Sequence, residues 1–292
     1  MPLQLLPDKD TVVGPFTHCI FCESDGGGKP LTDEHAIPAA LGGRLVLKDA
    51  TCDVCRRITS AFESRCINTM FQGLRMNYRF TSARGTQKRP KLPLTIRGAD
   101  NTEKAVRLGR DTFPSVVAFP EFAPPTLITR EPDKEKFGYL TRKVLAASNA
   151  PGNLRDLSRV HNATMMRVDI KVPEVDFGRL LAKVAHCWGV ATLGVDGFSP
   201  LLKDAILKGD QKHLSRYVGG DTHRQPPPDF AVYEARFTLH PLKDQITGEG
   251  LLVLEMESFA GVHLAPIYTV CFGRFNDLTL QRVQRECSRP GP

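Results

Sequence analysis

Polar and apolar positions change rhythm along the chain. Near the N-terminus the apolar runs are short. A Gly42-Gly43 turn introduces the run LVL at 45–47, and from residue 52 the positions Cys52, Cys55, Ile58, Phe62 and Cys66 recur every three or four residues. That interval is one face of a helix, with Asp49 and Thr51 ahead of it as N-cap candidates. The expected order here is strand, glycine loop, strand, helix. Between 91 and 130 the runs LPLTIR, AVRL, SVVAF and TLITR, broken by Gly, Asp and Pro, predict a small meander or sheet. Helical patterns follow at about 135–148 and 176–193, the second apolar on most faces and so expected to be buried. Strand patterns return in ATMMRVDI at 163–170, in FAVYEARFTLH from 230, in LLVLEMES from 251 and in IYTVCFGRF from 267. The last three suit one antiparallel sheet. HRQPPPDF marks a loop or joint and SRPGP a frayed end. The fold class expected is α+β.

Composition places this pattern in a globular chain. With 292 residues, 41% hydrophobic and 24% charged, it can bury a large core, which excludes wholesale disorder and low-complexity architectures. No apolar run approaches a membrane span, and MPLQLLPDKD lacks the basic start and apolar stretch of a secretory signal, so the expected location is cytoplasmic. Absence of an internal repeat or a phosphate-binding glycine motif leaves a nucleotide-driven motor unsupported. The net charge is +7, and it is concentrated: Arg56, Arg57, Arg65, Arg75, Arg79, Arg84, Lys88, Arg89 and Lys91 face Glu63 alone, a local +8 that leaves the rest at −1. Such a stretch attracts polyanions by counterion release, or serves as a solvated face. In MFQGLRMNYRF, at 70–80, arginines alternate with aromatic residues, which suits phosphate contact with base stacking or an amphipathic packing element.

Four of the eight cysteines carry a chemical signal. Cys19 and Cys22 form one C-x2-C, Cys52 and Cys55 a second, and 29 residues separate the pairs. Two short loops that each deliver two thiolates are the signature of a tetrahedral zinc site, and the long gap leaves room for a functional element inside the staple. Cys66, Cys187, Cys271 and Cys287 lack such partners and are expected to be core or incidental thiols. His18 is a conceivable substitute ligand that a complete four-cysteine set makes unnecessary. His161, His186, His213, His223, His240 and His263 show no metal spacing and are given no catalytic role.

Between the pairs lies LTDEHAIPAALGGRLVL, from 31 to 47. Taken with CIFC at 19–22 and CDVC at 52–55, it resembles the four-cysteine members of the HNH endonucleases, whose nuclease unit is the ββα-metal fold. The resemblance is carried by residues 16–66; the helical stretches from Asp176 and Leu201 are only loosely similar to helices that follow this unit in larger members. It implies a structural zinc on the four cysteines, a catalytic Mg2+ or Mn2+ bound by Glu34, and His35 as the general base that activates water against a phosphodiester. The residue types suit that chemistry. An imidazole can take a proton near pH 7, a hard cation can absorb charge on the leaving oxygen, and thiolates and carboxylates segregate the two metals by softness.

One position departs from the family pattern. Where members carry Asn or His after the second cysteine pair, this chain has Arg56, which cannot ligate a cation. Glu63 or Asp49 is then a candidate further ligand, or Arg56 contacts the scissile phosphate and stabilises developing charge. The sequence thus predicts a nuclease unit over 1–80, a basic linker with short strands over 81–150, and a mixed helix and strand region over 151–292 that positions substrate, recognises a partner or builds a homodimer. DNA is the expected partner, with RNA as the alternative and Arg57, Arg65, Arg75, Arg79, Arg84, Lys88 and Arg89 as the candidate contacts. The competing reading is a catalytically degenerate, zinc-stabilised nucleic-acid-binding or adaptor protein.

Overall fold

The computed structural model describes residues 10–73, 91–109, 112–147, 153–221, 234–243, 249–260 and 265–275. Cys287, most of 70–80, and the HRQPPPDF and SRPGP stretches lie outside them. The fold is α+β, as expected. No helix among the described residues is long and apolar enough to cross a membrane.

The N-terminal part builds a hairpin and a helix. Strand β1 (Thr11–Val13) runs parallel to β3 (Leu45–Thr51), which pairs antiparallel with β2 (Thr32–His35) on its other edge. The glycine turn works by steric exclusion. Gly42 sits at φ +87°, and a Cβ on Gly43 would lie 1.8 Å from the carbonyl oxygen of Ile37. Helix α1 (Asp53–Thr69) follows at once and buries Cys55, Thr59, Phe62, Cys66 and Ile67, the expected stripe apart from half-buried Ile58. Its N-cap is Cys52, not Asp49 or Thr51, and no side chain caps it. Those two side chains are placed by the hairpin instead. Asp49 takes φ +54° within β3, and the Thr51 hydroxyl donates to Glu34.

In the middle of the chain, β4 (Leu92–Gly98) pairs with β5 (Glu103–Leu108), and β6 (Ser115–Glu121) stands where the pattern placed a strand. Two expectations fail here. TLITR is not a strand: helix α2 (Thr126–Thr129) starts from Pro125 and ends at Arg130 in the left-handed region. Prolines 124 and 125 deny a ladder its donors and preset φ for a helical start. The helix expected at about 135–148 is replaced by β7 (Thr141–Ala147), paired antiparallel with β6 from Ser115↔Ala147 to Glu121↔Thr141. The good helix formers in KVLAA are overruled by antiparallel pairing with β6 in continuous register, which holds the segment extended.

The remaining elements are α3 (Asn153–His161), β8 (Ala163–Arg167), α4 (Glu174–Leu193), β9 (Ser199–Pro200), α5 (Lys203–Lys208), α6 (Gln211–Tyr217), β10 (Val218–Asp221), β11 (Glu234–Lys243), β12 (Gly250–Ala260) and β13 (Ile267–Phe275). The last three form the expected antiparallel sheet, in the order β13-β12-β11, and β10 and β9 add to it along β13. Helix α4 positions the candidate site. Thirteen of its 20 residues are buried, and it packs on α1 to one side and β13 to the other. One hydrophobic core therefore runs from Cys19, Phe21, Leu47 and Phe62 through Phe177 and Val184 to Leu254 and Phe272. Arg65 on α1 seals the rim with a two-pronged ion pair to Asp176 on α4, at 2.5 and 2.7 Å.

Candidate functional site

The four cysteines converge. The Sγ atoms of Cys19, Cys22, Cys52 and Cys55 all lie within 4.8 Å of one another, with Cys22 and Cys52 3.6 Å apart. Four thiolates at a Zn–S distance of about 2.3 Å stand roughly 3.8 Å apart, so the group could hold a zinc ion with little adjustment. Local backbone explains the placement. The first pair sits in a tight knuckle closed by the Glu23 N–H donating to the Cys19 carbonyl at 2.8 Å, with Glu23 at φ +63°. The second pair is the N-cap and first turn of α1. The thiols are unequal. A hydrogen bond from Cys55 pulls Cys19 down to about 4, while Cys55, as that bond's donor and buried, is pushed up.

Residues from the C-terminal half brace the knuckle. His186 of α4 is fully buried, its Nε2 2.8 Å from the carbonyl oxygen of Ile20 and its ring 5.4 Å from that of Phe21. Lys203 pairs with Glu23. Sequence spacing gave His186 no catalytic role, and its place is a support behind the cysteines. Cys66, Cys187 and Cys271 are buried, as their lack of partners implied.

The EH dipeptide ends β2, and alternation along the strand separates its two side chains. Glu34 points inward, 6% exposed, whereas Asp33 and His35 lie toward the other side, exposed and half-buried. Asp33 Oδ1 accepts the backbone N–H of Asp49 at 3.0 Å. Among the described residues the His35 ring has no hydrogen-bond partner.

Glu34 and Glu63 do come together, around an ammonium group. Lys183 of α4, fully buried, places Nζ 2.7 Å from an oxygen of each carboxylate. The same Nζ donates to the backbone carbonyls of His35 and Ala36, the latter at 3.3 Å. Burial pushes the lysine down, but the two carboxylates outweigh it and hold it above the usual lysine range. Burial raises Glu63 against the pull of the same ammonium. Among the described residues, the cysteines alone bring three or more metal-ligand atoms within 4.8 Å.

Arg56 lies on the outer face of α1, where its guanidinium donates to Asp53 at 2.5 Å, and Arg57 donates to the other oxygen of Asp53 at 3.1 Å. The two arginines, Arg57 first, hold Asp53 at about 2. Arg65 is committed to Asp176. Arg75, Arg79, Arg84, Lys88 and Arg89 lie outside the described residues. Lys183, Asp33 and Asp176 escaped the sequence reading. Only Lys183 left a signal there, a lysine inside the apolar stretch LLAKVAHCWGV.

Residues 19–69 match the family model described as HNH endonuclease. The match spans the cysteine staple, the EH dipeptide and α1, and it implies a nuclease-type function for this segment. Comparison with the curated proteins and with the solved structures found no match.

Buried His186 makes the fold sensitive to acid. Burial depresses it from 6.5 to about 4, so the unfolded chain takes up a proton near pH 6.5 and the folded chain only near 4. Protons therefore favour unfolding across that window, by about 3 kcal/mol once it is crossed. Denaturant unfolding from pH 7.5 to 4 should show that loss in the zinc-loaded wild type and a smaller one in His186→Gln, which keeps a donor for Ile20. Equal slopes would place the acid sensitivity elsewhere.

Proposed function

We propose that the protein is an HNH-type nuclease that hydrolyses DNA phosphodiester bonds, with His35 as general base and a structural zinc on Cys19, Cys22, Cys52 and Cys55. The observation that carries this reading is the His35 ring itself. It sits at the end of β2, partly open to solvent and without a partner among the described residues, in a segment that matches the HNH endonuclease model. An imidazole so placed has a free nitrogen with which to take a proton from water. Arg56, 47% exposed on the outer face of α1, is available to phosphate and would balance charge that builds on it. A divalent cation, Mg2+ or Mn2+, supplies the family's chemistry by stabilising the leaving oxygen. Glu34 and Glu63 do not fit it, because the Lys183 ammonium already lies between them. Asp49 and Asp33, joined by the Asp49 N–H to Asp33 Oδ1 hydrogen bond, are the carboxylates left on β3 and β2.

That same ammonium, together with an arginine in the metal-ligand position, favours a second reading: a zinc-stabilised nucleic-acid-binding protein that does not cut. Supercoiled plasmid separates the two. Zinc-loaded protein, freed of other metals, should nick it when Mg2+ or Mn2+ is added and not before, with single-stranded RNA run in parallel as the alternative substrate. A protein that retards both nucleic acids in a salt-dependent way yet leaves them intact under every cation is the binder.

A further inference from the structure

Helix α4 carries an ammonium group into the interior of the nuclease segment, and the surroundings of that group are those of a bound cation. Lys183 is fully buried in a helix with 13 buried residues of 20. Around its Nζ stand four oxygens from two elements and the turn between others: Glu34 Oε1 and Glu63 Oε1, both at 2.7 Å, the His35 carbonyl, and the Ala36 carbonyl at 3.3 Å. The two carbonyls accept hydrogen bonds from the ammonium and the two carboxylates form ion pairs with it, so its charge is matched on both sides. Taking a charge out of water is tolerated only with this kind of pairing. The second oxygen of Glu34 is also spoken for, by the Thr51 hydroxyl at 3.1 Å.

We propose that Lys183 is a resident cation of the fold, taking the position between Glu34 and Glu63 that a divalent metal would otherwise fill. The pair is then no metal site. A metal ion entering it would meet a positive charge less than 3 Å from either carboxylate oxygen, on a lysine that is fully buried. The geometry of the EH strand relative to α1 is set by a side chain 148 residues further along the chain than His35, and the nuclease segment is completed by α4 instead of by metal loading. The inference concerns binding and stability and stands whether or not the protein cuts nucleic acid.

The test uses the full-length, zinc-loaded protein with Mn2+ alone as the probe, followed by electron paramagnetic resonance and by thermal unfolding. Wild type, Glu34→Gln and Glu63→Gln should bind Mn2+ alike within twofold, and any rise in Tm that Mn2+ gives the wild type should be the same in both variants. A tenfold or greater weakening in either glutamine variant would overturn the proposal, because it would make the pair a metal site in the native protein. Lys183→Met leaves two buried carboxylates facing each other. It should unfold at a lower temperature than wild type and recover part of that loss on addition of Mn2+. An unchanged Tm in Lys183→Met would equally overturn the proposal. Should that variant fail to fold, the two glutamine variants decide alone.

Discussion

Cys55→Ser should abolish zinc binding and, with it, the order of residues 19–69. Cys55 is 2% exposed in the first turn of α1, and its Sγ belongs to the group whose ligand atoms lie within 4.8 Å. A serine hydroxyl does not replace a thiolate toward zinc, and structural zinc in small peptide units contributes on the order of 10 kcal/mol of apparent folding free energy at neutral pH. That exceeds what the hairpin and one helix can bury for themselves. The loss should not stop at residue 69. Cys19, Phe21, Cys52 and Cys55 share one buried cluster with Phe177, Leu181, Val184 and Cys187 of α4 and with Val270 and Phe272 of β13. Zinc content and thermal unfolding should therefore fall together, in a single broadened transition at lower temperature. A strong chelator applied to the wild type should reproduce the effect. One zinc per chain in Cys55→Ser, with the Tm held within about 2 °C of wild type, would show that the four cysteines are not the metal's anchor.

How far the sequence discloses this arrangement depends on the distance over which each contact acts. The cysteine pairs, the glycine turn and α1 are local: two C-x2-C loops, a Gly42 that must take positive φ, and a stripe at helical spacing are each legible within a dozen residues. Residues 174–193 are legible as a buried helix because their apolar positions cover most faces. What that helix meets is not legible. Hydrophobic periodicity assigns Lys183 to the interior yet says nothing of Glu34 and Glu63, which reach it only because α1 and β2 fold against the same side of α4. The two misread elements fail for the same reason in reverse. The KVLAA run has local helix preference and loses to β6, and the TLITR run has strand preference and loses to Pro125. Arg56 could be recognised as a departure from the family pattern, but its pairing with Asp53 is a helix-surface contact three residues apart that many sequences would also permit.

His35→Ala should lower the plasmid-nicking rate by about 10^2- to 10^4-fold, the range that a positioned general base supplies, while nucleic-acid binding stays within about twofold of wild type. The separation of the two effects follows from what each atom of His35 does. Its backbone is fixed by pairing with Val46 in β3 and by the Lys183 ammonium on its carbonyl, both of which survive truncation to alanine. Its ring accepts and donates nothing among the described residues, so deleting it leaves no orphaned partner and opens no buried cavity beside the zinc staple. The hairpin, the cysteines and the arginines of α1 should remain in place, and with them the salt dependence of binding. Parallel loss of cleavage and affinity would mean that the ring supports the fold instead of the chemistry. Cleavage at the wild-type rate would move the base elsewhere, and the nearest titratable side chain on the same face of β2 is Asp33, so Asp33→Asn would then be the variant that loses activity.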